Sequence, residues 1–219
     1  GQIIFLGKAW LNIYQADFFF ITLTPHMEYA KKIDSTELNQ LPLKFFKGPI
    51  HLVSDIDDYF QILPRLMKIK DFGFDTETRP SFKKGLKHKV ALLQLSSADE
   101  AFLFRLNKIG LPDGLIQIFS DEKRIKVGAA IRDDIKSLIS IKPFTPAGFV
   151  DLQIQVKDLG FESFSLKNLA AIVLGFRISK SQQLSNWEAN ELSPQQATYA
   201  ATDAWVSLKV YQNLINNRH

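Results

Sequence analysis

The feature that most constrains this chain is an apolar run that stops in two acids, Phe72-Gly73-Phe74-Asp75-Thr76-Glu77. Its residues suit a β-strand, about Asp71–Glu77. Side chains on a strand alternate faces, so Asp75 and Glu77 point the same way, about 6–7 Å apart. Gly73 precedes them on that face and is read as leaving open space beneath. Phe72, Phe74 and Thr76 line the opposite face. Two carboxylates converging at the end of a buried strand repel each other and call for a cation, a proton or water. The plain alternative is a strand end that reaches solvent.

The rest of the chain narrows that choice. At 219 residues there is room for one substantial core. There is no cysteine, so disulfides and thiolate metal sites are excluded. A metal must be held by oxygen or by one of four histidines, and His26, His51, His88 and His219 do not cluster in sequence. A net charge of +4 is compatible with a nucleic-acid partner without requiring one.

The chain divides into an N-terminal extension, residues 1–44, and a domain, residues 45–219. Ile3–Leu23 is rich in Phe, Ile and Leu, but Lys8, Asn12, Gln15 and Asp17 interrupt it. It is therefore no membrane span, and no signal-peptide cleavage site follows it. The expected location is cytoplasmic. Gly1–His26 is read either as upstream-translated or vector sequence before Met27, or as an ordering extension that packs on the domain or a neighbouring chain. Glu28–Leu43 reads as a polar linker.

Beyond it, Ile50–Val53 is a short strand candidate, and Ser54 caps a helix of about Asp55–Lys68 with Pro64 inside. The strands at Asp71–Glu77, Val90–Ser96 and Ala101–Phe104 read as an antiparallel meander. Helices are expected at Leu111–Phe119, Arg132–Ile139, Leu166–Leu174 and from Pro194 to about Ile215. Further strands are expected at Ile125–Gly128 and Phe149–Leu152. The layer pattern is α/β with a mixed sheet.

Two helices carry acids on apolar sides. Asp134 follows Ile131 by three and precedes Leu138 by four, so it shares their sheet-facing side, whereas Asp133 faces water with Lys136. Tyr199 and Asp203 are one turn apart, on a face continued by Val206, Val210 and Leu214. Asp75, Glu77, Asp134 and Asp203 are thus four inward acids with no basic partner on the same faces. Oxygen-only, acid-rich sets are what Mg²⁺ or Mn²⁺ prefers. Two such ions about 3.5–4 Å apart can clamp a phosphodiester.

GFDTET with Asp75 and Glu77, GAAIRDD with Asp134, and YAATD with Tyr199 and Asp203 resemble the three motifs of the DEDD exonuclease superfamily in its tyrosine form. The nearest branches are the Werner-type exonuclease and ribonuclease D. The resemblance extends through Val90–Ser96, Glu162–Leu166 and Ser185–Trp187, and covers about Ile50–Tyr211. It implies a ribonuclease-H-like fold, with a mixed five-stranded sheet flanked by helices, and metal-dependent 3′–5′ hydrolysis of nucleic acid. It also implies that Asp75, Glu77 and Asp203 hold one divalent cation and that Asp75 shares a second. Asp134 would act through water on the metal, and Tyr199 would orient the attacking water. Residue 198 is Thr, where the sister subgroup has histidine. The helical domains of ribonuclease D and the Werner helicase have no counterpart in the sequence, so a free-standing exonuclease domain is expected.

For the substrate, the basic loop Ser81–Lys89 offers Lys83, Lys84, Lys87 and Lys89 to phosphates and Phe82 to a base, against the alternative of a solvated hairpin tip. Lys180 is a phosphate-contact candidate, and Thr76 is expected beside the terminal nucleotide. Trp187 reads as a packing anchor. The expected partner is single-stranded or 3′-recessed DNA, with RNA as the alternative and no membrane. A catalytically silent binding module is the reading from another class, and an assembly role for the N-terminal extension is a third.

Overall fold

The computed structural model describes residues 29–81 and 88–217. Six strands form one mixed sheet: β1 (Ile50–Val53), β2 (Asp71–Thr78), β3 (Val90–Ser96), β4 (Ala101–Phe104), β5 (Ile125–Gly128) and β6 (Phe149–Asp151). Their spatial order is β1-β4-β3-β2-β5-β6. The antiparallel meander β2–β3–β4 is present. β5 and β6 extend it in parallel on one side. The five-strand count needs correction, because Ile50–Val53 pairs in parallel with β4 and makes a sixth strand at that edge.

The helices are α1 (Ser35–Gln40), α2 (Ile56–Leu66), α3 (Leu106–Ile109), α4 (Asp113–Ser120), α5 (Arg132–Ile141), α6 (Leu152–Asp158), α7 (Leu166–Leu174) and α8 (Pro194–Asn216). One side of the sheet packs Phe72, Phe74, Leu93 and Phe104 against Tyr59 and Leu66 of α2, Leu115 and Phe119 of α4, and Leu138 of α5. The other side packs Val127 against α6, α7 and α8 through Val156, Leu169 and Val206.

Local chemistry sets the helix ends. Ser193 caps α8 in a capping box with Gln196, and Pro194 follows at the first helical position, where its missing N–H costs nothing. Ser165 caps α7, which ends at Gly175 in the left-handed region. Asp55, not Ser54, caps α2, its carboxylate accepting the Asp58 amide at 2.8 Å. Pro64 sits in the last turn of α2 without ending it.

From Tyr29 onward, the linker reading of Glu28–Leu43 gives way to ordered structure. Asp34 opens α1 with a capping box closed by Glu37. The Glu162 amide donates to the Lys31 carbonyl at 2.8 Å, Arg177 and Pro42 pair through their backbones at 3.0 Å, and the Tyr29 hydroxyl donates to Asn213 at 2.6 Å. Residues 29–44 thus lie along the domain, fastened to α8 and to the segments before and after α7. The expectations for Gly1–His26 and for Phe82, Lys83, Lys84 and Lys87 fall outside the described residues.

One feature of β2 corrects the sequence reading directly. Gly73 does not leave a void. A Cβ placed there would sit 1.7 Å from the Ala204 carbonyl oxygen and 3.3 Å from the Leu208 Cβ. The glycine lets the α8 backbone lie against the strand, and this close approach brings α8 side chains beside Asp75.

Candidate active site

Asp75 and Glu77 leave β2 on the α8 side. Asp203 comes down from α8, and one oxygen of each of the three carboxylates lies within 4.8 Å of the other two. Asp75 accepts its own neighbour's amide, Thr76 N–H, at 2.9 Å. Tyr199 is one turn before Asp203; its hydroxyl is near enough to the Asp203 carboxyl to favour that group's ionisation, and its ring is almost fully buried beside Trp187, with centroids 6.0 Å apart. Trp187 is fully buried, as a packing anchor should be.

Crowding and burial penalise charge here. Burial, and then the Asp203 and Asp134 charges, push the Asp75 carboxyl well above the usual carboxylate range. Burial followed by Asp75 raises Glu77 to about 10. Burial lifts Asp203 to about 7, against the opposing pull of the Tyr199 hydroxyl and Lys180. Burial and the same acids push the Tyr199 phenol upward, so it stays protonated and remains a donor. Lys180 is exposed on the rim, and its charge favours ionisation of Asp75 and Asp203. The set is oxygen-only, mutually repelling and partly dry. These properties fit a hard divalent cation, which would offset the repulsion that protons otherwise relieve.

Asp134 is placed differently from the other three acids. It sits in the first turn of α5, the helix on the opposite side of the sheet. Its carboxylate accepts the Thr76 hydroxyl, which points to that side. Burial raises its pKa and this hydrogen bond lowers it. Asp134 is not among the three carboxylates that converge. Asp133 is exposed and pairs with Lys136 at 3.3 Å, as the helix geometry predicts.

A cleft of about 350 Å³ opens over the acids, lined by Asp75, Thr76, Glu77, Ala129, Ala130, Lys180, Tyr199 and Asp203, with Gln153, Ser165, Leu166, Gln183 and Ser207. Sequence reasoning missed the turn at Ala129–Ala130. Ala130 has φ +60°, an uncommon conformation for a residue with a Cβ. The Asp151 carboxylate holds it, accepting the Ala130 amide at 3.0 Å and the Ile131 amide at 3.2 Å, and also the Gln153 amide at 2.9 Å as the N-cap of α6. An Asp between a strand and a helix was a readable cap signal. Its reach back to the Ala130 turn was not.

Of the other expected contacts, Lys180 lines the acid cleft. Lys89 instead lines a separate cavity of about 550 Å³ with His88, Asn107 and Glu188. A third cavity of about 330 Å³ backs onto Tyr199 and is lined by Leu43, Phe45, Pro194, Thr198 and Thr202. No helix among the described residues is long and apolar enough to cross a membrane.

A 3′–5′ exonuclease family model matches residues 50–217. The chain is 33% identical over 188 residues to the bifunctional 3′–5′ exonuclease/ATP-dependent helicase WRN of Mus musculus, covering 81% of this chain and 13% of that protein. Among solved structures it is similar to the Aedes aegypti Nibbler EXO domain, with TM-score 0.72 and 24% identity, over 80% of this chain and 92% of that one. It is also similar to Escherichia coli RNase D, described as an exoribonuclease involved in structured RNA processing. There the TM-score is 0.70 and the identity 20%, over 78% of this chain and 45% of that one. At these identities the two structures speak to the fold, a helix-flanked mixed sheet of the ribonuclease-H-like exonuclease kind. The chain spans about half or less of the length of the first relatives it matches.

Proposed function

The chain belongs to the 3′–5′ exonuclease family, and from that premise we propose that it removes nucleotides from the 3′ end of DNA using two divalent cations. The observation that carries this reading is the meeting of Asp75, Glu77 and Asp203, from two elements distant in sequence, beside the Tyr199 hydroxyl. A protein gains no stability from burying three like charges together. A site that recruits cations explains them.

The reaction breaks the bond between a phosphorus and the 3′ oxygen of the preceding nucleotide, and water supplies the new oxygen on phosphorus. Bound at this site, Mg²⁺ or Mn²⁺ would supply positive charge for the phosphodiester and acidify water. Asp75, Glu77 and Asp203 would hold one cation, and Asp75 would also serve the other. Asp134, tethered by Thr76, acts from the far side of β2 through water. The Tyr199 phenol, kept protonated by burial, orients the attacking water through its hydroxyl. Lys180 on the rim meets a phosphate, and Thr76 lies beside the terminal nucleotide. The basic sequence holding Phe82, Lys83, Lys84 and Lys87 offers charge for further phosphates and a ring for a base.

The 33% identity to a WRN exonuclease/helicase across most of the chain supports the exonuclease reading, and DNA is the substrate we propose with it. The likeness to RNase D, at 20% identity, supports the fold and leaves the sugar open. The test is digestion of 5′-labelled single-stranded DNA with Mg²⁺, with Mn²⁺ and with chelator, beside Asp75→Ala and an RNA of the same sequence. The expected result is a ladder shortening from the 3′ end on DNA, lost with chelator and in the variant. Faster digestion of the RNA would move the substrate to RNA. Two intact strands that the protein still binds would make it a silent binding module.

A further inference from the structure

Gln94, in the middle of β3, is fully buried, and neither its Nε2 nor its Oε1 has a hydrogen-bond partner among the described residues. A buried amide left unpaired costs about 1–3 kcal/mol, so an apolar side chain of similar length would be expected there. Its nearest cross-strand neighbour on β4 is apolar. Gln94 faces Leu103 across β4, and Leu103 packs on Ala200 and Tyr199. The apolar α8 residues packed on this part of the sheet are Ala200, Ala201 and, against Gly73, Ala204. Tyr199 and Asp203 of α8 stand on the same face, toward Asp75, and neither pairs with Gln94.

On its other side Gln94 pairs in antiparallel register with Asp75. Directly opposed residues share a face and have Cβ atoms about 4.5–5.5 Å apart, within the span of a glutamine side chain. Asp75 accepts the Thr76 amide on Oδ1, and no donor to Oδ2 is seen among the described residues. One rung of the ladder thus holds a donor without an acceptor and a carboxylate oxygen without a donor.

We infer that Gln94 is a positioning residue for Asp75. Its side-chain N–H donates to the Asp75 carboxylate when a cation draws that group into place, and so fixes the orientation in which Asp75 serves the metal site. Hydrogen-bond partners of metal-binding carboxylates set ligand orientation, and losing one typically weakens metal affinity by about 10–100-fold. Gln94 contacts neither substrate nor cation in this account. The inference rests on the reading of Asp75 as a metal ligand.

The test is Gln94→Met, which keeps length and removes the amide, read by Mn²⁺ binding in calorimetry and by thermal melting of the metal-free protein. The expected result has two opposite signs. Mn²⁺ binds at least about tenfold more weakly, while the metal-free midpoint is unchanged or higher because an unpaired amide has gone. Mn²⁺ affinity within twofold of wild type overturns the inference. A wild type that binds no Mn²⁺ overturns it together with the metal reading, which separates the two failures. If the variant does not fold, wild-type NMR decides. The Gln94 side-chain amide signals are expected to move downfield when Mg²⁺ is added, and signals that stay in place overturn the inference.

Discussion

The two faces of β2 are built on opposite plans from one run of alternating residues. Toward α2, α4 and α5, Phe72 and Phe74 are fully buried, and Phe74 meets Phe119 and Phe149 edge-on at 6.0 Å and 5.3 Å. Toward α8 stand Gly73, Asp75 and Glu77, with Gln94 alongside, in a site where like charges crowd and an amide lacks a partner. The first face supplies cohesion. The second spends some of it to hold carboxylates close together. The strand works because the two faces share a backbone, so an aromatic core on one side fixes the acids on the other.

The sharpest way to test this division is Asp75→Ala. Nuclease activity is expected to fall by a thousandfold or more, about 4 kcal/mol of transition-state stabilisation, while the metal-free melting temperature holds or rises. A large loss of stability in that variant would place Asp75 on the cohesive side. The converse is Phe74→Ala, expected to destabilise by about 3–5 kcal/mol in denaturant titration. Mn²⁺ affinity per folded molecule should change little. Tyr199→Phe should slow turnover by about a hundredfold, in the range for a positioned proton donor or acceptor, with metal affinity and melting unchanged. Normal rates would remove the water-orienting role.

Gly73→Ala tests where the faces are joined. Its methyl would drive into the Ala204 carbonyl, so α8 must lift, and both stability and metal affinity should fall, the former by about 1–3 kcal/mol. The smallest effect is the pH dependence of the metal-free protein. Asp203 titrates near 7 when folded and near 3.8 when not, and Glu77 is raised further. The folded state therefore binds more protons than the unfolded state above about pH 4, and stability falls as pH rises toward 7 and beyond. Metal-free melting should be lower at pH 7.5 than at pH 5, by about 2–4 °C per kcal/mol, and Mg²⁺ should restore it at the higher pH.

Much of this was legible from the chain. Period two placed Asp75 and Glu77 on one face, the one-turn spacing placed Tyr199 with Asp203, and the Ser193-Pro194 cap marked the start of α8. The positions of all six strands were readable, though the edge pairing of Ile50–Val53 with β4 was not, because a four-residue strand does not announce its neighbour. The Asp34 and Glu37 box was readable and was passed over in a polar stretch. The helix angle placed Asp134 on the sheet-facing side of α5, but that α5 lies across the sheet from α8, with the Thr76 hydroxyl bonded to Asp134, was not readable. The role of Asp151 at the Ala130 turn joins residues 21 positions apart and left no local trace.

By itself, then, the sequence determined the faces of each element and the chemistry displayed on them, since strand and helix periods are local properties of the backbone. Only the tertiary structure decided what covers each face. It laid α8 on Gly73, put α5 behind Thr76 and set Gln94 across from Asp75. Those choices come from packing between elements distant in the chain, where the space a glycine opens or a phenylalanine fills selects the neighbour.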